Sequence, residues 1–465
     1  MFIIMALRLP SPSIFARLLA ARLLLLALLV APLAACQQPA RLKPQPVPPQ
    51  AAVAAPPATA APAPMPAPES NLQLTPPPGM HDSVTVGFLV PLSGPGSDFG
   101  QALLNAAQMA LFDLAVPDGG ADVVLIPRDT KGTPEGAVAA ATDALANGAQ
   151  LLLGPLFSAD VAAVAPVARE RGVPVVAFTN DYAAAGNGVY ILGFTPEMQV
   201  DRVVAYASSR GAERFAALVP DSVYGQRIAD AVRAAVTKVG GTLSQVASYD
   251  ASAATNLVSP VVRRLTNYDA RRAALRTQRQ ELASRDDEAS KLALRRLDRL
   301  ETYGDVDFDA IVIPESGARI KAIAPLLPFY DVDTRKVHAL GTVEWDEPEV
   351  WTEPALIGGW YPATPDAPRA DFAAAYRKLY GSVPPARASL GYDAAALAAV
   401  LARGDMATRF SPEALVQPNG FSGVDGIFRL TPAGLTERGL AVKEIGARSS
   451  RVVSPAPATF EDLSN

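Results

Sequence analysis

Short apolar runs alternate with longer segments whose apolar residues recur at helical spacing, beginning at Val84. The apolar run 84–90 predicts a buried strand, and the three-to-four-residue spacing over 100–114 predicts a helix after it. The same pair of patterns recurs along the chain, with strands predicted at 123–126, 151–153, 173–178, 215–219, 243–249, 310–313 and 337–340 and helices at 134 onward, 159–171, 197–209, 228–239, 372–379 and 394–401. This alternation predicts an α/β fold of doubly wound parallel sheets with helices on both faces.

Turns follow the carboxyl ends of several predicted strands, at 91–94, 154–158, 178–180 and 341–344. In open parallel sheets ligands bind beyond this edge, so we expect a ligand site at these turns.

The N-terminus has the layout of a secretory signal peptide. Three arginines precede an apolar run at 23–33 that is shorter than the roughly 20 residues a membrane span needs. The run ends in Leu33-Ala-Ala-Cys36, which resembles a bacterial lipobox, so we predict a signal peptide over 1–35 and lipidation at Cys36. Gln37, by the same resemblance, favours the periplasmic face of the outer membrane; the alternative is the periplasmic face of the inner membrane. The Pro- and Ala-rich segment 36–80 predicts a disordered tether.

A charged segment, 263–303, interrupts the alternation. Leucines recur at helical spacing among eleven basic and seven acidic side chains, which predicts a coiled-coil-like helical pair or one long bent helix. The basic side chains form either a solvated face or a docking surface for a protein or acidic polymer, with these candidates: Arg264, Arg271, Arg272, Arg276 and Arg279.

Composition excludes several classes of function. The net charge is -5 and the N-terminus predicts export, so nucleic acid is not an expected partner. Cys36 is the only cysteine, and His81 and His338 are the only histidines. These counts predict no disulfide, no metal site, no cofactor and no catalytic triad, and we expect a protein that is not an enzyme.

The chain resembles the type I periplasmic binding proteins of the Leu/Ile/Val-binding kind. The resemblance is carried by 86–94, Gly154-Pro155, 174–180, 220–225 and 421–428. It implies two doubly wound lobes joined by a hinge that the chain crosses more than once. The implied division is lobe 1 over 81–195, lobe 2 over 196–335 with its insertion, lobe 1 again over 336–405, a segment completing the lobes over 406–450 and a flexible tail over 451–465.

The resemblance also implies a ligand site between the lobes. Hydroxyls of Ser158 and Thr179 match the positions that hold an amino-acid carboxylate, Tyr224 matches an aromatic contact, and Glu344 is the acid nearest the ammonium position. The neighbouring candidates are Ser93, Ala177, Asn180 and Trp345.

Within this superfamily the lipobox, the 154–158 and 177–180 turns and the charged insertion resemble the penicillin-binding protein activators. That resemblance implies a lipid-anchored monomer that docks on a penicillin-binding peptidoglycan synthase. The alternative is a receptor that delivers an amino acid or similar small solute to an ABC permease.

Overall fold

The computed structural model describes residues 83–115, 122–252 and 254–461. They lie in the second of the two units into which the chain divides, Thr75–Asn465. The expected signal peptide, tether and Cys36 lie outside them. Within the described part, no helix is both long and apolar enough to cross a membrane.

Strands and helices alternate through most of the chain, as the pattern of apolar residues predicts. The strands are β1 (Val84–Val90), β2 (Val123–Asp129), β3 (Leu151–Leu153), β4 (Val175–Ala177), β5 (Val189–Ile191), β6 (Arg214–Asp221), β7 (Thr242–Asp250), β8 (Ala310–Val312), β9 (His338–Leu340), β10 (Trp360–Ala363), β11 (Phe421–Gly423), β12 (Gly426–Leu430), β13 (Thr436–Arg438), β14 (Ala441–Ile445) and β15 (Ser450–Ser454). The helices are α1 (Ser97–Asp113), α2 (Pro134–Ala146), α3 (Ser158–Glu170), α4 (Pro196–Ser209), α5 (Val223–Lys238), α6 (Thr255–Leu265), α7 (Tyr268–Ala283), α8 (Glu288–Leu297), α9 (Gly317–Ile323), α10 (Leu326–Phe329), α11 (Asp366–Tyr380), α12 (Ser389–Ala402) and α13 (Pro412–Leu415).

The first lobe is a parallel sheet in the order β2-β1-β3-β4-β5. On one face Phe88 packs against Leu103 of α1 and Leu397 of α12. On the other, Leu152 packs against α2 and α3. Because both faces are covered, β1 and β3 are buried along nearly their whole length, which explains why they appear as continuous apolar runs in the sequence.

The second lobe is a sheet in the order β15-β14-β10-β9-β8-β6-β7. The strands from β10 to β7 are parallel, while β14 and β15 extend the sheet in antiparallel pairing. Helices α4 and α5 cover one face, and α6 and α9 cover the other. Both sheets are therefore sandwiched between helices, as the α/β fold class requires.

The division of the chain between the lobes differs from the expected one after residue 336. Strands β9 and β10 pair within the second sheet, so the return to the first lobe begins only at α11, where Phe372 and Tyr376 pack on α1. The small sheet β11-β12-β13 packs with the first lobe, and β14 then enters the second. The expected flexible tail begins as a strand, β15, because its backbone pairs with β14. In the described part the chain thus crosses between the lobes three times, after β5, after β10 and after β13.

The charged insertion is a helical pair, α7 and α8, on the second lobe. Leu275 of α7 and Leu297 of α8 are buried. Asp287 caps the start of α8 by accepting a hydrogen bond from the Ser290 amide at 2.9 Å.

Candidate functional site

A cavity of about 590 Å³ lies between the two lobes, in the size range of small-molecule sites. The turns after β3 and β4 line it from the first lobe, and the turns after β6 and β8 line it from the second. Its floor comes from the crossing after β5, where Phe194 and Gln199 lie. All four turns follow carboxyl ends of parallel strands, which is where the topology places a ligand.

Five of the predicted site residues meet at this cavity: Ser158, Thr179, Asn180, Tyr224 and Glu344. Ser158 is the first residue of α3, and the side chain of the residue before it does not cap the helix. Gly154, with φ of 102°, makes the turn possible, because a Cβ there would lie 2.0 Å from the Leu89 carbonyl oxygen. The Thr179 hydroxyl oxygen accepts a hydrogen bond from the Asp181 amide at 3.1 Å. The hydroxyl hydrogen of Thr179 is therefore available to donate to a ligand.

Three other candidates do not line the cavity. Ser93 donates its hydroxyl to Asp129 at 2.6 Å and fixes its own turn. Ala177 is fully buried within β4. Trp345 is also fully buried, in the core of the second lobe, where its indole donates to the Glu315 carbonyl at 2.8 Å. A side chain at a strand end faces either the cleft or the core, and the sequence pattern does not distinguish the two.

Tyr224 presents a neutral phenol to the cavity. Burial, reinforced by the nearby Glu344 carboxylate, raises the pKa of Tyr224 to about 12. Its hydroxyl therefore stays protonated at neutral pH and is able to donate or accept a hydrogen bond to a bound solute.

The carboxylate of Glu344 forms an ion pair with Arg387, a residue that the sequence analysis missed. Arg387 lies in the turn before α12, and its guanidinium lies 5.3 Å from the centre of the Phe194 ring. It carries no local sequence signal, because it follows Glu344 by 43 residues and meets it only through the crossing after β10.

Glu315 is a second missed residue of the cavity wall. It accepts the Tyr249 hydroxyl of the second lobe, and Arg319 lies 5.4 Å from the centre of that tyrosine ring. The Glu315 carboxylate is therefore engaged within its own lobe.

A contact between the lobes lies beside the cavity. Arg227 of α5 pairs with Asp181 of the first lobe at 2.5 Å, and its guanidinium lies 4.4 Å from the centre of the Tyr182 ring. The pair joins the two lobes.

The five candidate docking arginines divide into two kinds. Arg271 donates to the Asp331 and Gly304 carbonyls at 2.8 and 3.0 Å, and Arg279 donates to the Leu297 carbonyl at 2.6 Å. Both side chains hold the insertion together, and their role in docking stays a prediction. The other three are exposed and form no ion pair with any residue that the structure describes: Arg264, Arg272 and Arg276.

His338 has a packing role. Its ring stacks on Trp360 with centroids 3.8 Å apart, and its Nδ1 lies 3.0 Å from the Gly358 carbonyl oxygen.

Comparison with known proteins supports the same superfamily. Residues 83–272 match the periplasmic binding protein family. The Leu/Ile/Val-binding protein BraC3 of Rhizobium johnstonii is 30% identical over 170 residues, which are 35% of this chain and 46% of that protein. The chain thus spans about half the length of this curated relative.

Solved structures extend the likeness to both lobes. An ABC transporter substrate-binding protein from Sphaerobacter thermophilus has a TM-score of 0.59 at 17% identity, covering 80% of this chain and 97% of that one. The branched-chain amino acid substrate-binding protein LivJ of Streptococcus pneumoniae, in complex with isoleucine, has a TM-score of 0.51 at 19% identity, covering 80% of this chain and 100% of that one. The chain has the two-lobed α/β fold of type I periplasmic binding proteins, and the solved structures that it resembles include substrate-binding proteins of ABC transporters.

Proposed function

We propose that this protein is a periplasmic receptor that binds a small carboxylate-bearing solute, an amino acid or a similar molecule, between its lobes and delivers it to an ABC permease. The observation that carries the proposal is the cavity of about 590 Å³, which is lined by strand-end turns of both lobes. The likeness to substrate-binding proteins supports it.

The first lobe offers a carboxylate the groups that it needs. The first amides of α3 have no side-chain cap, and they bear the positive end of a 13-residue helix. Ser158 and Thr179 add hydroxyl donors beside them. A carboxylate at this place is bound without a buried countercharge.

The second lobe provides the contacts that allow the cleft to close over a solute. Tyr224 and the Pro314–Ser316 turn face the first-lobe turns across the cavity, so a bound solute bridges the lobes. A ligand that contacts both lobes binds the closed arrangement more tightly than the open one. It shifts the equilibrium toward the closed arrangement by that difference in binding free energy. Lipidation at Cys36 fits this role, because it keeps a receptor near the membrane.

The test is thermal unfolding of the purified chain across a panel of amino acids and small carboxylic acids. A solute at 100 times its Kd stabilises the folded state by about 2.7 kcal/mol. We expect at least one solute to raise the Tm, and we expect Ser158→Ala with Thr179→Val to weaken the effect. Ser209→Ala, on the exposed end of α4, is the matched control.

The proposal fails if no panel member stabilises the protein. It also fails if the Ser158→Ala, Thr179→Val double variant binds the stabilising solute as tightly as the control does.

A second candidate function rests on the insertion. Arg264, Arg272 and Arg276 are exposed cations on a chain of net charge -5, and a protein surface with acidic side chains complements them. We propose that this surface docks on a penicillin-binding peptidoglycan synthase, as the resemblance to the activators implies. Electrostatic complementarity of this kind sets specificity and the association rate more than affinity.

In-cell photocrosslinking distinguishes the two candidates. A photoreactive residue at Arg272 should give adducts with a peptidoglycan synthase, and one at Lys378, which is exposed on α11 of the first lobe, should not. Adducts with an ABC permease, or identical adducts from both positions, would count against docking through the insertion.

A further inference from the structure

The Glu344–Arg387 ion pair in the cavity wall bears on which solutes bind. Glu344 is the acid that the sequence analysis assigned to an ammonium group, but its carboxylate is paired with the Arg387 guanidinium. Both side chains line the cavity, and the Arg387 guanidinium is further held over the Phe194 ring. The pair is therefore part of the cavity wall.

An α-ammonium group needs an anionic acceptor once it leaves water. Transfer of a charged amine into a closed cleft is costly unless a carboxylate compensates it. Here the Glu344 charge is already offset by Arg387, and the Glu315 carboxylate receives the Tyr249 hydroxyl. Asp181, beside the cavity, is paired with Arg227. Each of these carboxylates therefore has a partner before any ligand arrives.

Aromatic side chains make up part of the remaining wall of the cavity. Phe99, Phe157, Phe178 and Phe194 line it, and Tyr224 presents a neutral phenol. Such walls accommodate an apolar ligand body, while the α3 terminus with Ser158 and Thr179 binds a carboxylate at one end.

We infer, building on the proposed function, that the site selects carboxylic acids with an apolar body and no α-ammonium group over the corresponding amino acids. Arg387 is then a specificity-determining residue, because its guanidinium pairs with the Glu344 carboxylate that an ammonium group would otherwise bind.

Two matched pairs of ligands test the inference by calorimetric titration at pH 7. Phenylalanine differs from 3-phenylpropanoate, and leucine from 4-methylpentanoate, by the α-ammonium group alone. In the wild type the acid of each pair should bind about tenfold more tightly than the amino acid.

Two substitutions should move that preference in opposite directions. Arg387→Gln leaves Glu344 unpaired and should reduce or reverse the preference for the acid. Glu344→Gln removes the acceptor and should increase the preference. A misfolded variant would bind both ligands of a pair more weakly. Opposite changes in the ratio of the two affinities, one in each variant, therefore report on the ion pair. Arg377→Gln, exposed on α11, should leave the ratio unchanged.

The results separate the inference from the proposed function. Tighter binding of the amino acids by the wild type, or an unchanged ratio in Arg387→Gln, overturns the inference and leaves solute binding intact. Absence of binding by all four compounds, together with no response to the wider panel, contradicts the proposed function and the inference with it.

Discussion

Replacing Arg271 by alanine removes the side chain that ties the insertion to the second lobe. Its guanidinium donates to the Asp331 carbonyl at 2.8 Å and the Gly304 carbonyl at 3.0 Å, and the side chain is only 11% exposed. A hydrogen bond from a charged donor contributes about 1.5–3 kcal/mol, so the loss of two at the lower value costs about 3 kcal/mol.

The neighbouring Arg272 is the matched control. It is exposed and forms no ion pair with the residues that the structure describes, so Arg272→Ala should change the free energy of unfolding by no more than about 0.5 kcal/mol. The two variants remove the same side chain at adjacent positions of α7.

Urea denaturation followed by circular dichroism measures the difference. With an m-value of about 3 kcal/mol per molar, Arg271→Ala should lower the midpoint by about 1 M and Arg272→Ala should leave it nearly unchanged. Hydrogen exchange should show faster opening of α7 and α8 in Arg271→Ala alone. Equal midpoints for the two variants would refute the structural role assigned to Arg271.

Three further predictions concern the cleft and the cores. Arg227→Ala should raise the open population about fivefold, because a partly exposed ion pair with a cation–π contact contributes about 1 kcal/mol; small-angle scattering measures this, and an unchanged radius of gyration would count against it. Burial and the Asp425 charge raise the pKa of Asp393. The folded protein therefore keeps a proton that the unfolded chain releases, and the free energy of unfolding should fall as the pH rises from about 4 through the raised pKa. Asp393→Asn should flatten that decline in urea titrations at several pH values; a decline of equal slope in the variant would contradict the assignment. Trp345→Ala should cost about 3–5 kcal/mol while the folded fraction keeps its affinity for solute, and a loss of affinity at unchanged stability would instead place Trp345 at the site.

The sequence predicts the elements that have a long or uniform apolar pattern. Strand β1 is bounded as predicted because both of its faces are covered, so all of its residues must be apolar or small. Strands β11 to β15 were not predicted as strands, because all five are only three to five residues long and pair antiparallel, in a small separate sheet or at the edge of the second sheet. Such short segments carry too little periodicity to be recognised.

The assignment of segments to lobes was harder to predict. Strands β9 and β10 look the same whichever sheet they join, since their pairing depends on partners more than 20 residues away. The site shows the same limit. Ser158 and Thr179 follow strand ends and were predicted, whereas Arg387 reaches Glu344 only through the path of the crossings.

Hydrogen exchange with and without the most stabilising solute of the panel tests the central claim most directly, because it reports where the solute binds. We expect protection on both lobes at once, in the turns 156–160 and 178–181 of the first and 220–226 and 314–316 of the second, with little change in α7 and α8. Protection confined to one lobe, or to the insertion, would contradict a solute site between the lobes.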